Sequence, residues 1–346
     1  MAISFVSDEM GFGLYAGAPT PSPLLVLATV DAGRTWRQVG KAGALPDDEL
    51  PGPNLLFAGE RHGFVWGIAS GGLLQTSDGG RAWTAAPISG TVLDVVAVGP
   101  RTVAALSTTC PSYSYEAPRS PCSVALHEQT LGSEGWRPLP LPPEEFGGGS
   151  LGHGAGGRFS LSLWEHAAGG EPRQMLLSSA DGGSHWEASA LPCSSEDPFG
   201  APIAVPPHGS SIWLVCTGQG TSQNESKSIY RSTDGGANWI GESTAPLLPT
   251  PGLPRDAPCC ALEDFDAFSA VRGFMLTTLG GPEVTADGGS HWTRSGTRSE
   301  LSDWAGIPGR LDFVNQRDGW LTLVTDGLGV APLWRTTDGG RTWSRV

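Results

Sequence analysis

Charge is scarce in this 346-residue chain. Charged residues make up 16% of it, too few for the long solvent-exposed amphipathic helices of a helical protein. Lysine is nearly missing: Lys41 and Lys227 stand alone among 21 basic residues, the rest being arginine. That bias reads as genome composition rather than function. The 35 acids bring the net charge to −14, so no phosphate-seeking field exists, and nucleic acid and anionic lipid are poor partners. No run approaches the roughly 18 apolar residues of a membrane span. The six cysteines show no CxxC spacing and give no zinc site. The opening Met-Ala-Ile-Ser-Phe-Val-Ser-Asp enters a strand pattern without a basic region or cleavage site. An exported form is therefore expected to have lost its signal before this point.

Glycine and proline, in contrast, are abundant, with 50 and 29 copies, close to the level at which disorder becomes the default. Thirteen tryptophans and 11 phenylalanines argue against that, because a disordered chain carries little large apolar surface. Many short strands joined by many turns fit both facts. The chain reads as all-β.

One word recurs along it: Thr29-Val-Asp31-Ala-Gly-Arg-Thr-Trp36, Thr76-Ser-Asp78-Gly-Gly-Arg-Ala-Trp83 and Ser179-Ala-Asp181-Gly-Gly-Ser-His-Trp186. It returns as Ser232-Thr-Asp234-Gly-Gly-Ala-Asn-Trp239, Thr285-Ala-Asp287-Gly-Gly-Ser-His-Trp292 and Thr336-Thr-Asp338-Gly-Gly-Arg-Thr-Trp343. The intervals between aspartates are 47, 103, 53, 53 and 51 residues. The long one is about double the others, so a copy is hidden inside it. Glu128-Gln-Thr-Leu-Gly-Ser-Glu-Gly-Trp136 fits the gap, with Leu131 read at the aspartate's place and Trp136 at the tryptophan's. A weaker word lies upstream, an apolar strand, a polar turn and Gly-aromatic, as in Phe5 to Phe12, Phe57 to Phe64, Phe268 to Phe274 and Phe313 to Trp320. Four short antiparallel strands in each of seven repeats predict a seven-bladed β-propeller. It would fill 1–346 as one domain, with blades near 1–40, 54–88, 91–140, 148–190, 201–243, 260–296 and 309–346.

The aspartate word suits a hairpin corner. The carboxylate can accept turn amides about two residues on, the glycines take positive φ, and the tryptophan buries roughly 150–250 Å². With these residues the chain resembles the Asp-box, or bacterial neuraminidase repeat (BNR-like), proteins, and most of all the photosystem II assembly and stability factor branch. Sortilin and the xyloglucan-active glycosidases are similar but more distant. The resemblance implies an extracytoplasmic, bacterial protein whose Asp-boxes (Asp31, Asp78, Asp181, Asp234, Asp287 and Asp338) are structural and far from any ligand.

Enzymatic readings find little support. Sialidases with such boxes use a tyrosine nucleophile, an arginine triad and an Arg-Ile-Pro signature. Here Tyr15 and Tyr230 fall in strand patterns, Tyr113 and Tyr115 in an insert, and Gly306-Ile-Pro-Gly-Arg310 has the wrong order. Acid pairs such as Glu144-Glu145 and Glu196-Asp197 read as solvated loop acids, and no catalytic residue is assigned. One carboxylate per box is too few for calcium, which takes six to eight oxygens. His185 and His291 stand in non-adjacent repeats. No metal or cofactor is expected, and Asn224-Glu-Ser226 is a chance sequon.

Long connections such as Ser107–Ser123, Ser243–Cys260 and Gly296–Arg310 would gather on one face. Binding residues collect on such loops, and Trp304, Arg255, Tyr113, Tyr115 and Arg119 are of the types that anchor interfaces. The expected partner there is a protein or a glycan. Cys110–Cys122, closing the insert, and more weakly Cys193–Cys216 are expected disulfides of an oxidising compartment, whereas the adjacent Cys259 and Cys260 have no assigned partner. The function read from the sequence is a non-catalytic binding or assembly scaffold, with a carbohydrate-active or glycan-binding propeller as the alternative.

Overall fold

The structure, a computed structural model, describes residues 2–16, 23–44, 53–68, 71–110, 122–133, 135–143, 146–165, 173–193, 203–204, 211–221, 224–245, 262–277, 281–295, 307–324 and 332–346. Among them are 28 strands and no helix. The strands form seven four-stranded antiparallel sheets, each pairing consecutive strands: a seven-bladed β-propeller.

Blade 1 comprises β1 (Ala2–Phe5), β2 (Gly11–Ala16), β3 (Pro23–Thr29) and β4 (Arg37–Ala44), and blade 2 comprises β5 (Asn54–Ala58), β6 (His62–Trp66), β7 (Leu74–Thr76) and β8 (Thr84–Ala85). The hidden repeat forms blade 3, with β9 (Thr91–Gly99), β10 (Thr102–Thr108), β11 (Val124–Thr130) and β12 (Arg137–Leu139). Blade 4 holds β13 (Gly148–Gly154), β14 (Arg158–Glu165), β15 (Arg173–Ser179) and β16 (Glu187–Ala190). Blade 5 follows with β17 (Ile203–Ala204), β18 (Ile212–Thr221), β19 (Asn224–Ser232) and β20 (Ile240–Ala245). Blade 6 has β21 (Leu262–Ala267), β22 (Gly273–Thr277), β23 (Gly281–Thr285) and β24 (Thr293–Arg294). Blade 7 closes the series with β25 (Ile307–Phe313), β26 (Gly319–Val324), β27 (Leu333–Thr336) and β28 (Ser344–Arg345).

The chain divides into two compact units, one of Met1–Tyr113, Leu126–Pro138 and Ser302–Val346, the other of Ser114–Ala125 and Leu139–Leu301. In the first, neighbouring blades are joined by stacked rings. Phe12 of β2 lies parallel to Phe57 of β5 at 3.5 Å, and Trp320 of β26 parallel to Phe5 of β1 at 3.6 Å. Such pairs contribute about 0.5–1.5 kcal/mol beyond the area they bury. The Phe5 and Phe57 rings in turn lie flat over Gly11 and Gly63, whose absent Cβ atoms would sit 2.5 Å from them. The Gly-aromatic word therefore pairs a ring with the one residue that leaves it room. In the second unit Trp213 of β18 approaches Phe265 of β21 at 6.2 Å, and its indole N–H donates to Ser269 O at 3.0 Å.

Register corrects one reading of the upstream word and shows a variation in another blade. Ala267, not Phe268, faces Gly273 as Phe5 faces Gly11, so blade 6 has an alanine where the ring was expected. In blade 4, His153 faces Phe159 and Phe159 faces Ser179, so the ring has moved into the glycine's place.

Candidate functional site

The repeated aspartate sits in a closed hydrogen-bond circuit. The Thr76 hydroxyl donates to Asp78 Oδ1 (2.8 Å) and accepts the Gly80 amide (3.2 Å), and Oδ1 also accepts the amides of Arg81 (2.9 Å) and Ala82 (3.0 Å). The amides thus come three and four residues on, not two. Asp31, Asp181, Asp234, Asp287 and Asp338 each take the hydroxyl two residues back and the amide four residues on. The position four residues on adds a side-chain donor to Oδ2 from Thr35, His185, Asn238, His291 or Thr342, at 2.5–2.8 Å. The sequence reading missed this second donor, since threonine, histidine and asparagine look unrelated until all are seen as donors of similar reach.

These bonds hold the carboxyls down. Asp31 falls to about 2, foremost through the Thr35 hydroxyl, and Asp234 to about 2 through the amide and then the side chain of Asn238. Asp181 drops below the usual range mainly through His185, and Asp78 mainly through the Ala82 amide. Partial burial works against Asp287 and Asp338, but the amide and ring of His291 still bring Asp287 to about 2, and the hydroxyl and amide of Thr342 lower Asp338. All six are committed anions with no proton to exchange near neutrality. The word's tryptophans pack edge-on against rings in three blades: Trp36 on Phe5, Trp83 on Phe57 and Trp343 on Phe313, at 6.0–6.2 Å. Trp292 lies 6.5 Å from both Trp213 and Phe265, and Trp239 packs with Leu176, Ile212 and Leu214.

Blade 3 turns its corner otherwise. Leu131 N–H donates to Arg101 O at 2.7 Å, the bond that Gly79 N–H makes to Arg61 O. Leu131 therefore matches the residue after the aspartate, one place from where the sequence alignment put it. Its buried side chain joins Phe64, Trp66 and Ile88 in an apolar cluster. Trp136 packs edge-on against Phe64 at 5.9 Å and donates to Gln75 Oε1 at 3.1 Å.

Other acids lie on the first strands. Asp94 and Asp264 hold matching places in β9 and β21, and each accepts the amide of the next residue at 2.9 Å. Asp266 faces Phe274 as Asp312 faces Trp320 and Ser4 faces Phe12. In those last two blades this residue accepts an amide from the neighbouring blade: Asp312 takes Phe5 N–H and Ser4 takes Phe57 N–H. Burial raises Asp266 to about 7 against the opposing bond from Ala267 N–H, with help from the Asp264 charge. Burial also raises Glu283 to about 7, although Arg294 and Lys227 oppose it.

Trp304, Arg255, Tyr113, Tyr115, Arg119, Cys259 and Cys260 lie outside the described residues. Cys193 and Cys216 are bonded at 2.03 Å, and Cys110 and Cys122 are both disulfide-bonded. Cys216 is fully buried within β18 rather than in a loop, because β18 and β19 continue as one long hairpin. Among the described residues no three potential metal ligands cluster. No helix there is long and apolar enough to cross a membrane. Two crevices open between blades, of about 280 Å³ between blades 4 and 5 and about 450 Å³ between blades 2 and 3.

No protein-family model matches the chain, and no curated protein matches it significantly. Solved structures share its fold. A structure described as YCF48 bound to D1 peptide is 16% identical with a TM-score of 0.60, covering 97% of this chain and 91% of its own. YCF48 from Cyanidioschyzon merolae is 16% identical with a TM-score of 0.57, covering 97% of this chain and 94% of its own. A polysaccharide lyase, a PL25 ulvan lyase bound to a sulfated disaccharide unit, is 12% identical with a TM-score of 0.51, covering 99% of this chain and 81% of its own. At these identities the likeness is one of fold, and it spans both a peptide-bound propeller and an enzyme.

Proposed function

We propose that this chain is a non-catalytic, extracytoplasmic Asp-box propeller of the photosystem II assembly factor type, which binds a protein partner on the face carrying its long connections. The observation that carries this reading is the commitment of all six repeat aspartates to their own hairpins, which leaves the repeated motif a structural part. The agreement in fold with a propeller bound to a peptide supports a protein partner, and the disulfides fit an oxidising compartment. Trp304 and Arg255 are the proposed anchors. Alanine at either should weaken capture of the partner about tenfold or more while Tm stays within about 1 °C. A Tm loss matching the binding loss would overturn their assignment.

A glycan-active reading is favoured by one observation, the Asp266 carboxyl raised by burial with Asp264 two residues away on the same strand, since glycan cleavage uses two carboxyl groups. Asp266 also occupies the position of the inter-blade acceptors Ser4 and Asp312, which supports a structural role. An assay on acidic polysaccharides decides between the two. Turnover by the wild type that is lost in Asp266→Asn would replace the scaffold reading with an enzyme.

A further inference from the structure

The crevice of about 450 Å³ between blades 2 and 3 lies beside the corner that lacks an aspartate, with Gly132, Ser133 and Gly135 in its wall. Among the described residues the rest of its lining is His62, Phe64, Gln75, Thr76, Ser77, Thr84 and Gln129, with no carboxylate, ammonium or guanidinium. Burial, helped by the charges of Arg61 and Arg101, lowers the pKa of His62, so its ring is neutral at pH 7. The crevice between blades 4 and 5 differs, being lined by Arg158, Asp181, Glu187 and Asp234.

Two glutamines in the neutral lining have half of each amide in use, and in opposite senses. Gln75 Oε1 accepts the Trp136 indole N–H at 3.1 Å. An indole only donates, so the Gln75 NH2 is the end left over. Gln129 Nε2 donates to Ser133 O at 3.4 Å. A carbonyl only accepts, so the Gln129 oxygen is the end left over. Neither side chain has a further hydrogen bond among the described residues. Gln129 is 8% exposed, so its oxygen depends for a donor on whatever fills the crevice. The Asp-box corners leave no such surplus. Their buried serine or threonine hydroxyl is used twice, donating to the aspartate and accepting a glycine amide.

We propose that the crevice between blades 2 and 3 is a binding site for a primary carboxamide, the group that ends an asparagine or glutamine side chain. Its carbonyl accepts from the Gln75 NH2 and its NH2 donates to the Gln129 oxygen, so one group matches both leftover ends. A carboxylate has no N–H for Gln129. An ammonium has no acceptor for Gln75 and meets the field of Arg61 and Arg101. A sugar hydroxyl could serve either end, but the Phe64 ring is 1% exposed, with Trp136 edge-on to it at 5.9 Å. It gives a sugar no open face to stack on. The site uses neither Trp304 nor Arg255, so it stands or falls separately from the partner contact proposed above. With so few hydrogen bonds the carboxamide alone binds weakly, at about millimolar Kd.

Titration of the full chain with acetylated, amidated Ala-Gln-Ala and with free L-glutamine, read by NMR at the Trp136 indole N–H, tests the site. That signal is assigned by its loss in Trp136→Phe, and it should shift because the indole donates to Gln75. At least one probe should bind. A preference for the peptide marks a partner's side chain as the source, and a preference for L-glutamine marks a free small amide. The peptides with Glu or Met in place of Gln should bind at least about fivefold more weakly, since each leaves a glutamine end unmatched. Gln75→Glu keeps the oxygen that takes the indole and turns the free donor into an acceptor, so it should abolish binding with little change in Tm. Gln129→Met should weaken binding by at least about fivefold. Should Gln129→Met fail to fold, Gln75→Glu decides alone. Failure of both probes to bind, equal binding of the three peptides, or equal binding by Gln75→Glu would overturn the proposal. Tighter binding of cellobiose than of either probe would overturn it in favour of a neutral glycan.

Discussion

Six hairpins of this propeller hold their corners with a carboxylate, and one does without it. At Asp78 the turn is an electrostatic object: a half-buried anion gathers a hydroxyl and two amides. At Leu131 the same turn is an apolar one, anchored by a buried side chain among Phe64, Trp66 and Ile88. Both keep the strand-ward amide bond, Gly79 to Arg61 and Leu131 to Arg101. The backbone corner is thus the fixed requirement, and the means of stabilising it is interchangeable.

The contrast is sharpest in the apolar hairpin. Leu131→Ala should cost about 2–5 kcal/mol, the range for emptying a buried leucine site, with a penalty that does not vary between pH 3 and 8. A penalty under 1 kcal/mol in denaturant melts would show that the cluster does not hold the turn. Gly63→Ala, which drives a methyl into the Phe57 ring, should cost about 1–3 kcal/mol, and loss of the ring's contact with Trp83 should appear in the near-ultraviolet dichroism. Asp78→Ala should cost less, about 0.5–2 kcal/mol by analogy with capping side chains and toward the low end because solvent screens the site. Thr130→Ala, beside Leu131, should leave Tm unchanged, and a fall equal to that of Asp78→Ala would erase the distinction.

A pH profile gives the smallest effect with the clearest sign. The folded carboxyls of Asp31 and Asp287 titrate near 2 against an ordinary 3.8, so their stabilisation is present above about pH 4 and lost as pH falls toward 2. Asp266 and Glu283 titrate near 7 when folded. The folded state then holds protons that the unfolded state has released, and stability declines as pH rises from about 4 to 7. Tm should therefore peak near pH 4–5. Asp266→Asn should flatten the decline toward neutrality, and a profile unchanged by that variant would refute the assignment.

Much of this was legible in the sequence because the repeat is rigidly spaced. Interval arithmetic located blade 3 without its aspartate, and Trp136 marked its last strand. What stayed hidden depends on pairing register. The shift of Phe159 into a glycine's place, Ala267 standing where Phe268 was expected, and the inter-blade acceptors Ser4 and Asp312 all require knowing which residue faces which. A one-residue slip moves a side chain to the opposite face of the strand, and spacing alone does not report it. The loop residues proposed to bind a partner lie outside the described residues, so their role rests on their chemistry.

The stack of Trp320 on Phe5 also constrains how the molecule is made. It is reinforced by Trp320 donating to Ala32, 288 residues away, and by Asp312 accepting the Phe5 amide across 307. At about 5–20 residues per second, the first repeat emerges roughly 15–60 s before the segment that covers its flank. During that interval the edge bearing Phe5 is a sticky surface in search of a neighbour. The first blade is thus made before the other six and is among the last to be finished, and a stall late in translation leaves it open to capture by chaperones, proteases or another copy of itself.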